Sequence, residues 1–573
     1  MTKSQGKFWS YFILFNLLLF LPKYLMDTNA LFFPDFSTSE TFSDKWELFF
    51  RRSNNDVFRL SFDFLLLVFA IYLLRKKLTS NLWGVLFFVF YLVLVFYQVY
   101  HGMLTTLYQS DPLFYSDYFL FSEGFAIILE ALGVLKLTFA IIGILVFAFL
   151  LFILFRNFVR GIKKIQFGRL SKAITVIILL VSTFSTINFA TRLADKRLSF
   201  PVISYLIFDN VKRSLIVQND IKNFDFEEFR RVYDYSTHTL KKKPNVFLLF
   251  IESYGKIVYD NEQLSGDYLE QMALKEARLS KNGWNTASAF SISPVTGGRS
   301  WLAYTSFMLG TKIDEQATYR YLVDNKGIKF SGFFQNLQAA DYKTYRLSVL
   351  PDHRGNIPYD DYSRMYGFDE WIHRKDINYH GKVYGWGPAP DDQYSLNFAN
   401  EYMRSKPAPF ALFFINLNTH NPFDSPTKLA NDWKELGKEI DYGKEISESK
   451  FFQKPTIKDY AKSIKYQFDY LTEFILKEGS QDDLFILIGD HQPPLLTGKN
   501  DGFETPVHII SKDSSFVANF AKEGFTYGMQ AKEGQITFKH EGLYSLIMRE
   551  FVRHYGKDSL NLPVYLPNGF LNE

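Results

Sequence analysis

The sequence predicts an α-helical membrane domain of five spans followed by an α/β extracytoplasmic domain with a mainly parallel sheet. Three observations predict it. Apolar stretches of bilayer-spanning length are confined to the first 192 of 573 residues. Lys and Arg gather in alternate short loops between those stretches. After residue 245, short continuous apolar runs of strand length recur, separated by helical segments. The expected domains are 1–192 for the spans, 193–244 for an amphipathic linker and 245–573 for the soluble domain.

Composition bounds the function. With 47% hydrophobic and 22% charged residues the chain is neither disordered nor a fibre. A net charge of +4 gives no basis for nucleic-acid binding. The chain has no Cys, which excludes a cysteine nucleophile, a thiolate zinc site and any disulfide.

The spans are expected at about Phe8–Met26, Val57–Leu74, Leu82–Tyr100, Leu137–Phe155 and Ala173–Ala190. Lys3 and Lys7 ahead of the first resemble a signal peptide, but no small-residue cleavage site follows, so it reads as a retained anchor. Arg75-Lys76-Lys77 follows the second span, and Arg156, Arg160, Lys163, Lys164, Arg169 and Lys172 follow the fourth. The positive-inside rule makes these loops cytoplasmic, and five spans then leave everything after Arg192 outside, in a multi-pass protein of the cytoplasmic (inner) membrane. Asp111, Asp117 and Glu123 lie in an outer loop. Glu130 and Lys136 read as a solvated interfacial pair, with a lipid-headgroup contact as the alternative.

In the soluble part, Asn245–Ile251, Pro409–Leu417 and Asp483–Ile488 read as strands buried on both faces, with Thr505–Ile510 a fourth candidate. Helices are expected over Gln393–Arg404 and Ile457–Glu478. Ligands of such sheets gather at the carboxyl ends of the strands. There the first run delivers Glu252, the second His420 and the third Asp490-His491. A Glu, an Asp and a His suit a divalent cation. A further segment, Ser293–Trp301, carries two glycines, then Arg299 and Ser300, then a predicted helix from Trp301 to Leu309. Ser300 thus stands where helix N–H groups and a guanidinium meet an anion, or where a serine simply caps a helix.

These motifs resemble the lipoteichoic acid synthase and phosphoglycerol transferase branch of the alkaline phosphatase/sulfatase superfamily. The resemblance rests on Glu252 in FIESYG, the GGRSW turn, His420 in NTHNPF and Asp490-His491 in GDHQPP, with YGFDEW (366–371) and WGPAPDDQY (386–394) in support. It implies a metal held by Glu252, the nucleophile hydroxyl, Asp490 and His491. It implies Ser300 as that nucleophile, with Thr296 as the alternative because the synthases commonly use Thr, and substrate contacts from Arg299 and His420. The family's substrate-binding Trp and Arg have no clear match; Asp352-His353-Arg354 lies nearby at the wrong spacing. With no Cys, and no Ser starting the required motif, a formylglycine sulfatase is not expected.

The implied chemistry is transfer of a phospholipid-derived phospho-alcohol head group, phosphoglycerol-like, through a Ser-linked intermediate to an envelope glycan, polymer or lipid. Three oxygens and one imidazole favour Mn2+, then Mg2+, with Zn2+ the less suited ion. Phosphoethanolamine transfer and a catalytically silent envelope-binding protein are the alternatives. Asp391 and Asp392 read as caps of the following helix, His508 as a buried structural histidine, and Trp386 as lining or packing near the pocket.

Overall fold

The computed structural model describes residues 2–571, apart from 28–29, 34–35, 37–40, 46–56, 78–79, 191–201, 351–357, 385–388, 408, 439–454, 499–500, 533–535 and the side chains of 81, 122–133, 185–186 and 188–190. Trp386 and the Asp352–Arg354 segment lie outside the described residues, as do the side chains of Glu123 and Glu130. The chain divides into two compact units, residues 1–218 and 219–573.

The first unit is helical. Helices Lys3–Met26, Phe62–Leu74, Asn81–Tyr108, Phe114–Lys164 and Arg169–Ala190 follow the order of the five apolar stretches. Among the described residues, Lys3–Met26, Leu82–Tyr108 and Val134–Lys164 are long and apolar enough to cross a membrane. The second helix starts later than its apolar stretch, because Ser61 caps it by accepting from the Phe64 N–H at 3.2 Å. Its 13 residues span about 20 Å, less than a hydrocarbon core. Asp63 in its first turn is buried and accepts from the N–H of Ile203 at 2.5 Å, at the start of helix Ile203–Lys222. That satisfied carboxylate explains why an acidic residue is tolerated beside a membrane segment. Phe15, Phe64, Tyr91, Phe155 and Phe158 form a buried aromatic centre, whereas Ile142, Leu145 and Phe149 are exposed, as lipid-facing residues are.

The second unit is built on a nine-stranded sheet in the order β4-β3-β5-β1-β6-β7-β2-β8, with β9 beside β2. Its strands are β1 Asn245–Ile251, β2 Asn285–Ile292, β3 Lys343–Ser348, β4 Glu370–His373, β5 Phe410–Asn416, β6 Asp483–Gly489, β7 Glu504–Ser511, β8 Thr526–Tyr527 and β9 Phe538–Lys539. From β4 through β6 neighbours are parallel, whereas β7 runs antiparallel to both β6 and β2. The Thr505–Ile510 run is therefore a strand, but in the antiparallel part of the sheet. Central β1 shows why its sequence is apolar throughout. Val246, Leu248 and Phe250 join one core while Phe247, Leu249 and Ile251 join the other, as period-two geometry requires of a strand covered on both sides. Helices form at Asp392–Arg404 and Ile457–Glu478.

Candidate active site

Register positions the first ligands. Ile251 of β1 pairs with Gly489 of β6, so Glu252 and Asp490 leave the sheet side by side. Gly489 is needed there, since a Cβ would stand 1.9 Å from the Tyr254 carbonyl oxygen. Asp490 Oδ1 accepts from the N–H groups of Ser253 at 2.7 Å and of His491 at 2.6 Å. Its Oδ2 is buried without a hydrogen-bond donor among the described residues. His491 Nδ1 lies 2.8 Å from the Gln492 carbonyl, which requires the proton on Nδ1 and leaves Nε2 as a lone-pair donor. That Nε2 is 3.3 Å from Asp490 Oδ2 and 3.4 Å from Glu252 Oε1.

One ligand atom each from Glu252, Asp490 and His491 lies within 4.8 Å of the others, and all three side chains are buried. Without a cation, burial and the adjacent carboxylate of Asp490 push Glu252 up to about 7. Burial raises Asp490 to about 6 and pushes His491 down. Two carboxylates facing each other, an orphaned buried oxygen and an imidazole lone pair converge on one point. The donor set fits a divalent cation.

Ser300 completes the cluster. It is the first residue of helix Ser300–Leu309, and Arg299 before it has a left-handed backbone, φ 63°. Ser253, after Glu252, is also left-handed at φ 59°. Such strain in non-glycine residues recurs where a site over-determines the backbone. Ser300 Oγ donates to Glu252 Oε2 at 2.7 Å and lies 3.2 Å from His491 Nε2. It is half-buried, whereas Thr296 is 1% exposed and its hydroxyl has no partner among the described residues. Of the two candidate hydroxyls, only that of Ser300 touches the ligand cluster.

The other predicted residues sit around this centre. Arg299 is buried, and its Nη1 donates to the Asp314 carbonyl at 3.4 Å. It is still close enough to His491 to help depress the imidazole. His420 is half-buried with Nδ1 2.7 Å from the Asn421 carbonyl, and its proximity works against the rise of Glu252. Asp391 caps its helix through the Gln393 N–H at 2.8 Å. Asp392 instead accepts from the N–H groups of Leu417 and Asn418, at 3.0 and 2.8 Å, and so pins the loop that carries His420. His508 is structural: buried in the sheet between Ser288 Oγ at 2.7 Å and Tyr254 O–H at 3.0 Å, it is pushed down to about 3 by desolvation.

Two features escaped sequence reasoning. Gln492 clamps three loops, accepting from the N–H groups of Ile257 and Gly297, at 3.2 Å each, and donating to the Asp501 carbonyl at 3.1 Å. Its signal was its place in GDHQPP. His540 supports Gly489 from beneath, with Nε2 3.1 Å from that carbonyl and Nδ1 2.8 Å from Ser291 Oγ. No local pattern marks it.

Residues 244–518, just under half of the chain, match the Sulfatase family model. No curated protein matches. Among solved structures, the lipoteichoic acid synthase LtaP from Listeria monocytogenes is 18% identical, covering 49% of this chain and 70% of its own, with a TM-score of 0.34. An alkaline phosphatase superfamily protein from Vibrio parahaemolyticus is 16% identical over 58% of this chain and 77% of its own, TM-score 0.38. The integral membrane lipooligosaccharide phosphoethanolamine transferase A from Neisseria meningitidis is 12% identical over 93% of this chain and 94% of its own, TM-score 0.45.

Proposed function

We propose that this chain, whose soluble domain belongs to the alkaline phosphatase/sulfatase superfamily, is a membrane-anchored, metal-dependent transferase. It moves a phospho-alcohol head group from a phospholipid to an envelope glycan, polymer or lipid. The observation that carries this reading is the contact of the Ser300 hydroxyl with both a carboxylate and an imidazole of a cation-ready triad.

Glu252, Asp490, His491 and Ser300 would hold the metal, with Mn2+ favoured by three oxygens and one nitrogen. When bound, that ion supplies Lewis-acid polarisation of a phosphoryl oxygen and a lowered hydroxyl pKa. The chain's own groups do the rest. Ser300 Oγ attacks phosphorus and its proton leaves toward Glu252 Oε2. The bond from phosphorus to the diacylglycerol oxygen breaks, and that oxygen takes a proton at the rim, where His420 stands. Arg299 and the helix start steady the phosphate oxygens. The hydroxyl of the acceptor then displaces Ser300, its own proton restoring the one given up at His420, and Ser300 regains its proton from Glu252.

A helical unit at 1–192, a linker at 193–244 and a catalytic domain from 245 outside the cytoplasm suit a lipid donor, because the anchor confines the active site to one compartment and its membrane. Labelled phospholipids of different head groups, incubated with the Mn2+-loaded full chain, test the reading. A Ser300-dependent mass increase equal to one head-group phosphate supports it. Unchanged mass with every phospholipid, at full metal occupancy, contradicts it and favours a silent binding protein.

A further inference from the structure

We propose that the helix Ile203–Lys222 lies half-immersed in the outer leaflet of the bilayer that its own spans cross, with Phe208, Val211 and Leu215 against lipid. This rests on the topology drawn from the basic loops, in which the span ends near Asp63 and Tyr100 face outside.

The contacts of this helix with the spans lie at one level. The Ile203 N–H donates to Asp63 Oδ2 at 2.5 Å, in the first turn of helix Phe62–Leu74. The Tyr97 hydroxyl, close to the outer end of the third span, donates to the Leu206 carbonyl at 3.0 Å. Asn210 Oδ1 accepts from the Phe114 N–H at 2.7 Å, and Ser214 Oγ from the Tyr115 N–H at 3.2 Å. The Phe114 ring in turn lies 6.0 Å from that of Tyr97 and 5.5 Å from that of Tyr100. Residues 203–214, about 17 Å of helix, therefore meet three helices of the membrane unit in turn at the depth of the outer span ends. A helix placed so runs along the membrane boundary instead of through it.

Its faces divide accordingly. Ile203, Leu206, Asn210 and Ser214 are buried, at i, i+3, i+7 and i+11. Phe208, Val211 and Leu215 are 65%, 44% and 61% exposed. They fall within an arc of about 60°, roughly a third of a turn from the buried stripe. The opposite flank carries the ion pair of Arg213 with Asp209 at 2.9 Å, and Arg213 also donates to the Pro112 carbonyl at 3.1 Å. Lys212 and Ile216 are exposed between the two flanks.

The level of the apolar flank decides what covers it. Leaving three large apolar side chains in water forfeits their burial. Apolar surface at this depth is not confined to the helix: Phe58, three residues before the Ser61 cap, is exposed too, its ring 4.8 and 4.6 Å from those of Phe32 and Phe33. At the outer span ends such surface meets the boundary of head groups and acyl chains, into which an amphipathic helix sinks its apolar side by about 5–10 Å. Lys212 then carries its ammonium to the phosphate layer while its stem covers apolar surface.

The chain has no Cys, so one introduced Cys places a probe uniquely. An environment-sensitive fluorophore is attached to Phe208→Cys, Leu215→Cys or Lys212→Cys, with Leu145→Cys as the control for the spans. All four side chains are exposed, so the substitutions leave the packing intact. The full chain is reconstituted in phosphatidylcholine vesicles at high lipid-to-protein ratio. Quenching by lipids with a nitroxide near the head group should be at least about threefold stronger at 208 and 215 than at 212, and quenching by iodide on both sides should run the other way. Iodide quenching at 208 and 215 equal to that at 212 would overturn the proposal. So would shielding from both quenchers, which would mean that protein covers the flank. Leu145→Cys should respond to a nitroxide deep in the acyl chains and not to iodide. Failure there would overturn the span reading and this proposal with it, whereas a normal Leu145→Cys signal with water at 208 and 215 sinks only the immersed helix. An impermeant thiol reagent should label Lys212→Cys in intact cells; labelling only after lysis would place the helix on the cytoplasmic side and overturn the topology.

Discussion

Asp490→Asn separates a metal ligand from a structural acceptor. Oδ1 of Asp490 holds two backbone N–H groups, and Oδ2 alone faces the triad. Asparagine keeps the first role through its carbonyl oxygen and replaces the second with an NH2 group that cannot ligate. Losing one anionic ligand should weaken metal binding about 100-fold or more, beyond the range for outer-shell changes. At a metal concentration of 100 Kd the wild type gains about 2.7 kcal/mol on metal binding, while the variant, then near its own Kd, gains about 0.4 kcal/mol. The metal-induced shift in Tm should shrink by roughly 5 °C. Opposite in sign, the metal-free variant should be more stable than the metal-free wild type, because a buried carboxylate oxygen without a donor has been removed. Thermal melts of both proteins with EDTA and with Mn2+ measure both effects. An unchanged metal-induced shift in Asp490→Asn would refute the ligand assignment.

The pH dependence of the metal-free protein follows from the same groups. Glu252 is raised from 4.5 to about 7 and Asp490 from 3.8 to about 6, so each contributes stability that is full below its unfolded value and is lost as pH rises through the folded one. The gap in Tm between Mn2+-loaded and EDTA-treated protein should therefore widen from pH 5 to pH 8; the difference cancels Asp391 and Asp392, raised in the same sense. Gly255→Ala should lower stability by about 3 kcal/mol or more in denaturant melts, because its Cβ would stand 2.0 Å from Gln492 Oε1 and 2.7 Å from the Gln492 Cα. Thr296→Val should leave turnover within about threefold of wild type, since the Thr296 hydroxyl has no partner to lose among the described residues. Single cysteines introduced at an exposed position after 245 and within 156–172 should react with an impermeant thiol reagent in intact cells only at the first position.

Much of the site was legible because its residues stand at element ends. Glu252 and Asp490-His491 follow strands whose unbroken apolar runs announce burial on both faces, and Ser300 begins a helix after two glycines. The superfamily resemblance drawn from these motifs is borne out by the Sulfatase match over 244–518. Strands β2 and β3 were not legible, since neither is a continuous apolar run. In β2, Ser288 and Ser291 point at the buried His508 and His540 and read locally as loop residues. In β3, Arg346 breaks the apolar pattern, and only the rings of Tyr304, Phe413 and Trp371 explain its place. Asp392 looked like a helix cap because its true partners, Leu417 and Asn418, are remote in sequence. Long-range pairing decides such roles, and periodicity carries no record of it.

The central claim is that Ser300 carries the transferred group. Its most direct test is peptide mapping of the Mn2+-loaded full chain after exposure to phospholipid and rapid acid quench. The account predicts a head-group phosphate ester on the peptide containing Ser300, localised to that residue and absent from Ser300→Ala. An ester on Thr296, or turnover in Ser300→Ala within about tenfold of wild type, would contradict it.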